Sequence, residues 1–214
     1  MSSGHNGDAE FGYGAGEIDP VEALNPGLVY DANIEDYIRF LCGQGFNTTV
    51  LPLITGDDDT CLNITDTSAR DLNYPSFALK APHPKYHVSG SFTRTVTNVG
   101  LPISTYKAIV TSPKGLHITV NPNVLSFSSV GEKRTYVLTI DGILKKSIGS
   151  ASLIWDDGNF KVRSPIVVYD ERAEKDAPSS NSYVLVAIVV GSSLGGFIIL
   201  VLISIVIVKK CRQR

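Results

Sequence analysis

Leu116-His117-Ile118-Thr119-Val120-Asn121-Pro122 decides the fold class, because apolar and polar residues alternate in it with a period of two. Successive side chains of a strand point to opposite faces, so Leu116, Ile118 and Val120 lie on one face and His117, Thr119 and Asn121 on the other. Tyr136, Leu138 and Ile140 repeat the pattern against Thr135 and Thr139, with Val137 interrupting the polar face. Ala151, Leu153 and Trp155 alternate with Ser150 and Ser152, and Ile166 and Val168 follow Pro165 as a last strand. Ser112-Pro113-Lys114-Gly115, Asn121-Pro122, Val130-Gly131-Glu132 and Asp156-Asp157-Gly158-Asn159 separate the runs with turn-forming residues.

About seven short strands at this spacing, without a helical pattern between them, predict a mainly β chain built on an antiparallel β-sandwich of the immunoglobulin or fibronectin III kind over residues 73–170. Residues 1–72 read instead as helix and loop. Asp19-Pro20-Val21-Glu22-Ala23-Leu24 offers a cap, a proline at the first helical position and an acidic first turn, stopped by Asn25-Pro26-Gly27. A second helix is predicted after the cap Asn33, with Glu35 and Asp36 in its first turn and Gly43 just past its end. Its Ile34, Tyr37, Ile38 and Leu41 form one apolar stripe.

After a polar stalk over 171–183, residues 184–208 hold no charge. As a helix they would measure about 37 Å, enough to cross a hydrocarbon core of about 30 Å with some tilt. Lys209, Lys210, Arg212 and Arg214 make the tail 209–214 basic, which puts it in the cytosol and residues 1–183 outside. The expected localisation is a single-pass membrane protein. Gly191 and Gly195 fit the small-xxx-small spacing of a helix-dimer face. Cys211 is a candidate for palmitoylation. The opening MSSGHNGDAEFGYG has no apolar signal region, so a natural N-terminal part is expected to precede it.

Cys42 and Cys61 fall in the external part, where they form either a disulfide or two buried thiols. Asn47-Thr48-Thr49 and Asn63-Ile64-Thr65 are N-glycosylation sequons in the same stretch.

Chemical machinery is sparse. With a net charge of −2 and basic residues clustered only in the tail, no nucleic acid is expected as a partner. The histidines are His5, His83, His87 and His117, none within a local Ser or Asp motif. Gly12-Tyr13-Gly14-Ala15-Gly16 is followed by Glu17 where a dinucleotide fingerprint needs glycine, and no strand precedes it. Asp57-Asp58-Asp59 lacks the spacing of a calcium loop, and no Cys/His pair is spaced for zinc. No catalytic, cofactor-binding or metal-ligating residue is assigned, and no cofactor is expected.

Several stretches in unbroken order are nevertheless distinctive: Tyr13-Gly14-Ala15-Gly16-Glu17-Ile18-Asp19-Pro20, Ala23-Leu24-Asn25-Pro26-Gly27-Leu28-Val29-Tyr30-Asp31 and Asp36-Tyr37-Ile38-Arg39-Phe40-Leu41-Cys42-Gly43. Asp71-Leu72-Asn73-Tyr74-Pro75-Ser76-Phe77, Arg94-Thr95-Val96-Thr97-Asn98-Val99-Gly100 and Asn121-Pro122-Asn123-Val124-Leu125-Ser126-Phe127 continue the series. Ser152-Leu153-Ile154-Trp155-Asp156-Asp157-Gly158 and Val162-Arg163-Ser164-Pro165-Ile166 close it. Together they resemble the plant subtilisin-like serine proteases of the cucumisin branch, over residues 11–169.

The resemblance implies that 1–72 is the end of a catalytic domain and 73–170 the fibronectin III-like domain beside it. It implies a disulfide between Cys42 and Cys61, and serine endopeptidase activity for the parent enzyme. The family's Asp, His, Asn and Ser lie before the Tyr-Gly-Ala-Gly stretch, so none carries over to a residue of this chain, which is expected to be inactive alone. Two readings follow: the non-catalytic C-terminal portion of a membrane-anchored protease, or a membrane-tethered binding module. The partner would be a subtilase catalytic domain, another extracellular protein, or a second copy through the membrane helix. Without the rest of a protease domain, residues 1–70 are expected to be looser than the sandwich.

Overall fold

The computed structural model describes residues 7–58, 60–61, 68–82 and 87–170. Among these residues nine strands form two stacked sheets. In the first, β1 (Leu28–Val29), β3 (His87–Asn98), β7 (Lys133–Ile143) and β5 (Leu116–Asn121) lie side by side in that order. In the second the order is β2 (Phe77–Lys80), β9 (Lys161–Tyr169), β8 (Ile148–Asp156), β4 (Ser104–Thr111) and β6 (Val124–Phe127). The fold is a mainly β sandwich of the fibronectin III kind with few helices.

The period-two pattern becomes the core. Tyr136, Leu138 and Ile140 of β7 point inward and are buried, while Val137 faces out. From the opposite sheet Leu153, Trp155, Ile166 and Val168 meet them, all buried. Tyr136 and Trp155 pack edge to face across the layers at 5.1 Å between centroids, and Phe77 and Phe92 do so at 5.4 Å. Each such side chain contributes about 1.5–3 kcal/mol by leaving water.

Three features depart from the sequence reading. Two strands more than the expected seven are present, and one of them, β1, comes from the segment assigned to helix and loop. Two residues are too few to show a period. The sandwich is also not wholly antiparallel, since β2 runs parallel to β9, pairing Phe77 with Ile166 and Lys80 with Tyr169. These strands are far apart in the chain, so no hairpin fixes their relative direction. Finally, the helix expected from Asp19 is one 3₁₀ turn, Glu22–Leu24. The Asp19 carboxylate accepts from the amides of Val21 and Glu22 as expected of a cap, but Pro26-Gly27 leaves no room for a second turn.

Three short α-helices complete the described chain: α1 (Glu10–Tyr13), α2 (Ile34–Gly43) and α3 (Leu51–Thr55). α2 follows from a capping box, in which the Asp36 amide donates to Asn33 Oδ1 at 3.0 Å and the Asn33 amide to Asp36 Oδ2 at 2.9 Å. Gly43 is the last helical residue, and Gln44 takes the C-cap. No residue of α2 is buried, and Ile34 is 76% exposed. Among the described residues no helix is long and apolar enough to cross a membrane. The stalk, the stretch 184–208 with Gly191 and Gly195, the basic tail and Cys211 all lie outside the described residues, as do Asn63, His5 and His83.

Candidate functional site

Three stretches distant in sequence (residues 25–31, 71–77 and 94–100) converge on the outer edge of β3, and the side chains that fasten them together form the best-defined polar site of the chain. It begins at Gly27, whose φ of +77° lies in the left-handed region. A Cβ there would stand 2.7 Å from Phe160 Cβ and 2.8 Å from the Tyr106 hydroxyl, so only glycine fits. Its carbonyl accepts from the amides of Val99 at 2.9 Å and Gly100 at 3.0 Å, and the chain then pairs Leu28 with Asn98 and Val29 with Thr97. Leu28 is 2% exposed and belongs to the sandwich core.

Tyr30 carries the seam inward. Its hydroxyl lies 2.8 Å from that of Tyr136 and 2.9 Å from that of Ser164, linking the segment to both sheets. Burial pushes both phenols above their ordinary value. Asp31 stays at the rim, where the Thr97 hydroxyl donates to its carboxylate and Lys133 Nζ stands 3.2 Å away. The Thr97 bond, with Lys133 assisting, holds the Asp31 carboxyl below its usual value.

Beyond β1 the edge of β3 has no strand partner among the described residues, and side chains take that place. Asn73 Nδ2 donates to the Thr95 carbonyl and its Oδ1 accepts from the Thr95 amide, both at 2.8 Å, reproducing a strand's pair of bonds. The same Nδ2 donates to the Asp31 carbonyl at 2.8 Å. Asp71 Oδ1 accepts from the Thr93 amide at 2.8 Å. A sheet edge protected in this way is not open to another strand.

Arg94 is buried, and among the described residues its guanidinium bonds backbone carbonyls rather than a carboxylate. Its Nε donates to the Tyr74 carbonyl at 2.8 Å and its Nη1 to the carbonyls of Arg70 at 2.7 Å and Thr93 at 2.8 Å. The guanidinium also lies over the rings of Phe77 at 4.8 Å and Phe92 at 5.6 Å. Burial lowers its pKa, although an arginine so placed stays charged at ordinary pH. Asn98, fully buried, donates to the Leu101 and Ser129 carbonyls at 2.8 and 3.2 Å and accepts from the Gly100 amide at 3.1 Å.

A cleft of about 510 Å³ opens at this seam, lined by Asp31, Asp36, Asp71, Asn73 and Lys133 among others. Every acid in it is already engaged: Asp31 with Thr97 and Lys133, Asp36 in the capping box, Asp71 with an amide of β3. The arrangement positions backbone and offers no poised nucleophile. Elsewhere His87 Nε2 meets Asp141 Oδ1 at 3.2 Å on the open face of the first sheet, with both side chains more than half exposed. Ser89 and His117 stand opposite Asp141 in register, yet no hydroxyl–imidazole bond joins them among the described residues. No group of three or more metal-ligating side chains occurs among those residues either.

Of the residues singled out by sequence, Cys42 and Cys61 are joined in a disulfide with their Cα atoms 5.8 Å apart, which decides between bridge and free thiols. Asn47, within the loop that the bridge closes, is exposed. Tyr30, Asn73, Arg94 and Asn98 were visible only as parts of quoted motifs. A signal did exist for two of them, since Arg94 and Asn98 share the parity of the core residues Phe92 and Val96.

Comparison with known proteins places these motifs. Residues 71–168 match the fibronectin type-III domain family. Subtilisin-like protease SBT4.9 of Arabidopsis thaliana is 49% identical over 164 residues, covering 75% of this chain and 23% of its own length. Subtilisin-like protease SBT4.10 of the same plant is 48% identical over 168 residues, 77% of this chain and 24% of its own. The chain thus spans about a quarter of the length of these relatives. The FixG-related protein from Vibrio parahaemolyticus superposes on 40% of this chain and 81% of its own with a TM-score of 0.34 and 14% identity, too distant to carry a conclusion. Over three quarters of its length, then, the chain is similar to plant subtilisin-like proteases, and within that stretch residues 71–168 match the fibronectin type-III domain family.

Proposed function

We propose that the chain is the non-catalytic C-terminal portion of a membrane-anchored subtilisin-like serine endopeptidase, whose sandwich holds residues 9–58 as a docking surface for the catalytic domain. One observation carries this reading. The seam fixes Gly27 to Asp31 rigidly on the sandwich, while the segment around it turns its apolar residues outward. Ile18, Leu24, Ile34 and Leu53 are each at least three-quarters exposed. Isolated exposed apolar residues are ordinary, but this many in one short segment mark a surface that expects a partner. The length of the relatives supplies a partner of the right kind, since three quarters of each lies outside the match.

Membrane anchoring rests on the uncharged stretch 184–208 and the basic residues after it. It predicts that the chain stays with the membrane pellet through an alkaline carbonate wash.

The docking reading is tested by co-expressing the full chain with the remaining length of an SBT4-type protease. The expected result is a complex recovered by size exclusion, and its loss when Ile34→Asp and Leu53→Asp are combined. No complex with the unsubstituted chain, or an unchanged one with the double variant, refutes it. A fluorophosphonate probe applied to the chain alone is expected to label no serine.

A further inference from the structure

Asn47 lies in the loop closed by the disulfide, where its side chain caps the turn leading into α3. Its Oδ1 accepts from the amides of Thr49 and Val50, both at 3.0 Å, and its carbonyl accepts from Val50 at 3.1 Å and Leu51 at 2.9 Å. Leu51, fully buried, pins that turn from below. The fold therefore uses the amide oxygen of Asn47 and the backbone of Thr49. Asn47, Thr48 and Thr49 are all exposed, and neither Asn47 Nδ2 nor the Thr49 hydroxyl has a partner among the described residues.

Those two idle groups are the ones an N-glycosylation sequon requires. A cap alone would be satisfied by any residue but proline two places after Asn47, because only a backbone N–H is used there. We propose that Asn47 is an occupied N-glycosylation site, modified while Oδ1 keeps its capping bonds. In the transfer, Asn47 Nδ2 forms a bond to the anomeric carbon of a lipid-pyrophosphate-linked oligosaccharide. The carbon–oxygen bond to the pyrophosphate breaks, the lipid pyrophosphate leaves with that electron pair, and one amide proton goes to solvent. The remaining Nδ2 proton and Oδ1 stay in place, so the linkage leaves the turn intact, and a glycan at an exposed turn has room to extend into solvent. The proposal rests on the reading that residues 1–183 face the lumen.

The full chain is isolated in sealed microsomes from plant cells expressing it, and two measurements are made on the same sample. Digestion by added protease reports the side of the membrane. Release of the glycan by a peptide N-glycanase, an amidase, in heavy-oxygen water, followed by sequencing of the tryptic peptide from Phe40 to Arg70, reports conversion of Asn47 to aspartate. The expected result is a protected chain labelled at Asn47. The variant Thr49→Ser should keep that glycan, and Thr49→Ala, which preserves the capping bonds, should lose it with one step of gel mobility. A protected chain with unmodified Asn47 overturns the glycan and leaves the topology standing. A digested chain with unmodified Asn47 overturns both.

Discussion

Replacing Arg94 by leucine tests whether the seam holds the sandwich to the residues before it. Three bonds of 2.7–2.8 Å from the guanidinium to the carbonyls of Arg70, Tyr74 and Thr93 disappear in Arg94→Leu. An unpaired buried carbonyl costs about 1–3 kcal/mol, and the lower end applies because residues 70 and 74 sit near solvent and rehydrate in part. Loss of the ring contacts with Phe77 and Phe92 adds about 1 kcal/mol. Against this, a charge no longer has to be kept out of water, which returns part of the loss. The net expectation is a destabilisation of about 2–3 kcal/mol, which moves the unfolding midpoint down by on the order of 10 °C. Thermal unfolding of the full chain in detergent micelles reads the midpoint, and hydrogen exchange locates the change. Amides of residues 68–76 should exchange faster first, with β8 and β9 still protected. Arg94→Lys keeps the charge but cannot span the same carbonyls, and should retain about half of the stability. An Arg94→Leu chain that unfolds at the unsubstituted midpoint, or that loosens the sheets before residues 68–76, refutes the reasoning.

The buried phenols predict an alkaline limit. Both Tyr30 and Tyr136 have folded pKa values raised by burial, so their contribution is intact below the unfolded tyrosine value of about 10 and is lost as pH rises beyond it. Tyr30→Phe should lower neutral-pH stability by about 1–2 kcal/mol and flatten the decline above pH ~10, measured by urea unfolding across pH. Gly27→Ala, which forces a Cβ against Phe160 in left-handed backbone, is expected to cost about 2–4 kcal/mol and to free Leu28 from the core. Exchange at the Leu28 amide, bonded to the Pro26 carbonyl, reports it. Cys61→Ser opens a loop between partners 19 residues apart, worth about 3 kcal/mol in the chain-entropy account. Protease cleavage should then rise within residues 43–60 while the sandwich midpoint stays unchanged.

Local rules wrote much of this molecule into its sequence. The alternation in β5, β7 and β8 follows from a two-residue period and a need to bury one face, so those strands are legible without coordinates, whereas β9 buries Ser164 to Val168 in an unbroken run. Asn33 and Asp36 announce α2 because cap and partner are three residues apart, within reach of each other before anything else folds. Nothing local marks β1, where two residues gain strand geometry only by lying against Asn98 and Thr97. The parallel pairing of β2 with β9 depends on how two layers close, and Asn73 and Asp71 act as a surrogate strand only because β3 runs past the end of β1. Arg94 is the sharpest case. Its inward parity is readable, but a buried charge is tolerable only where carbonyls from a distant stretch and two aromatic faces converge on it, and that convergence exists in three dimensions alone.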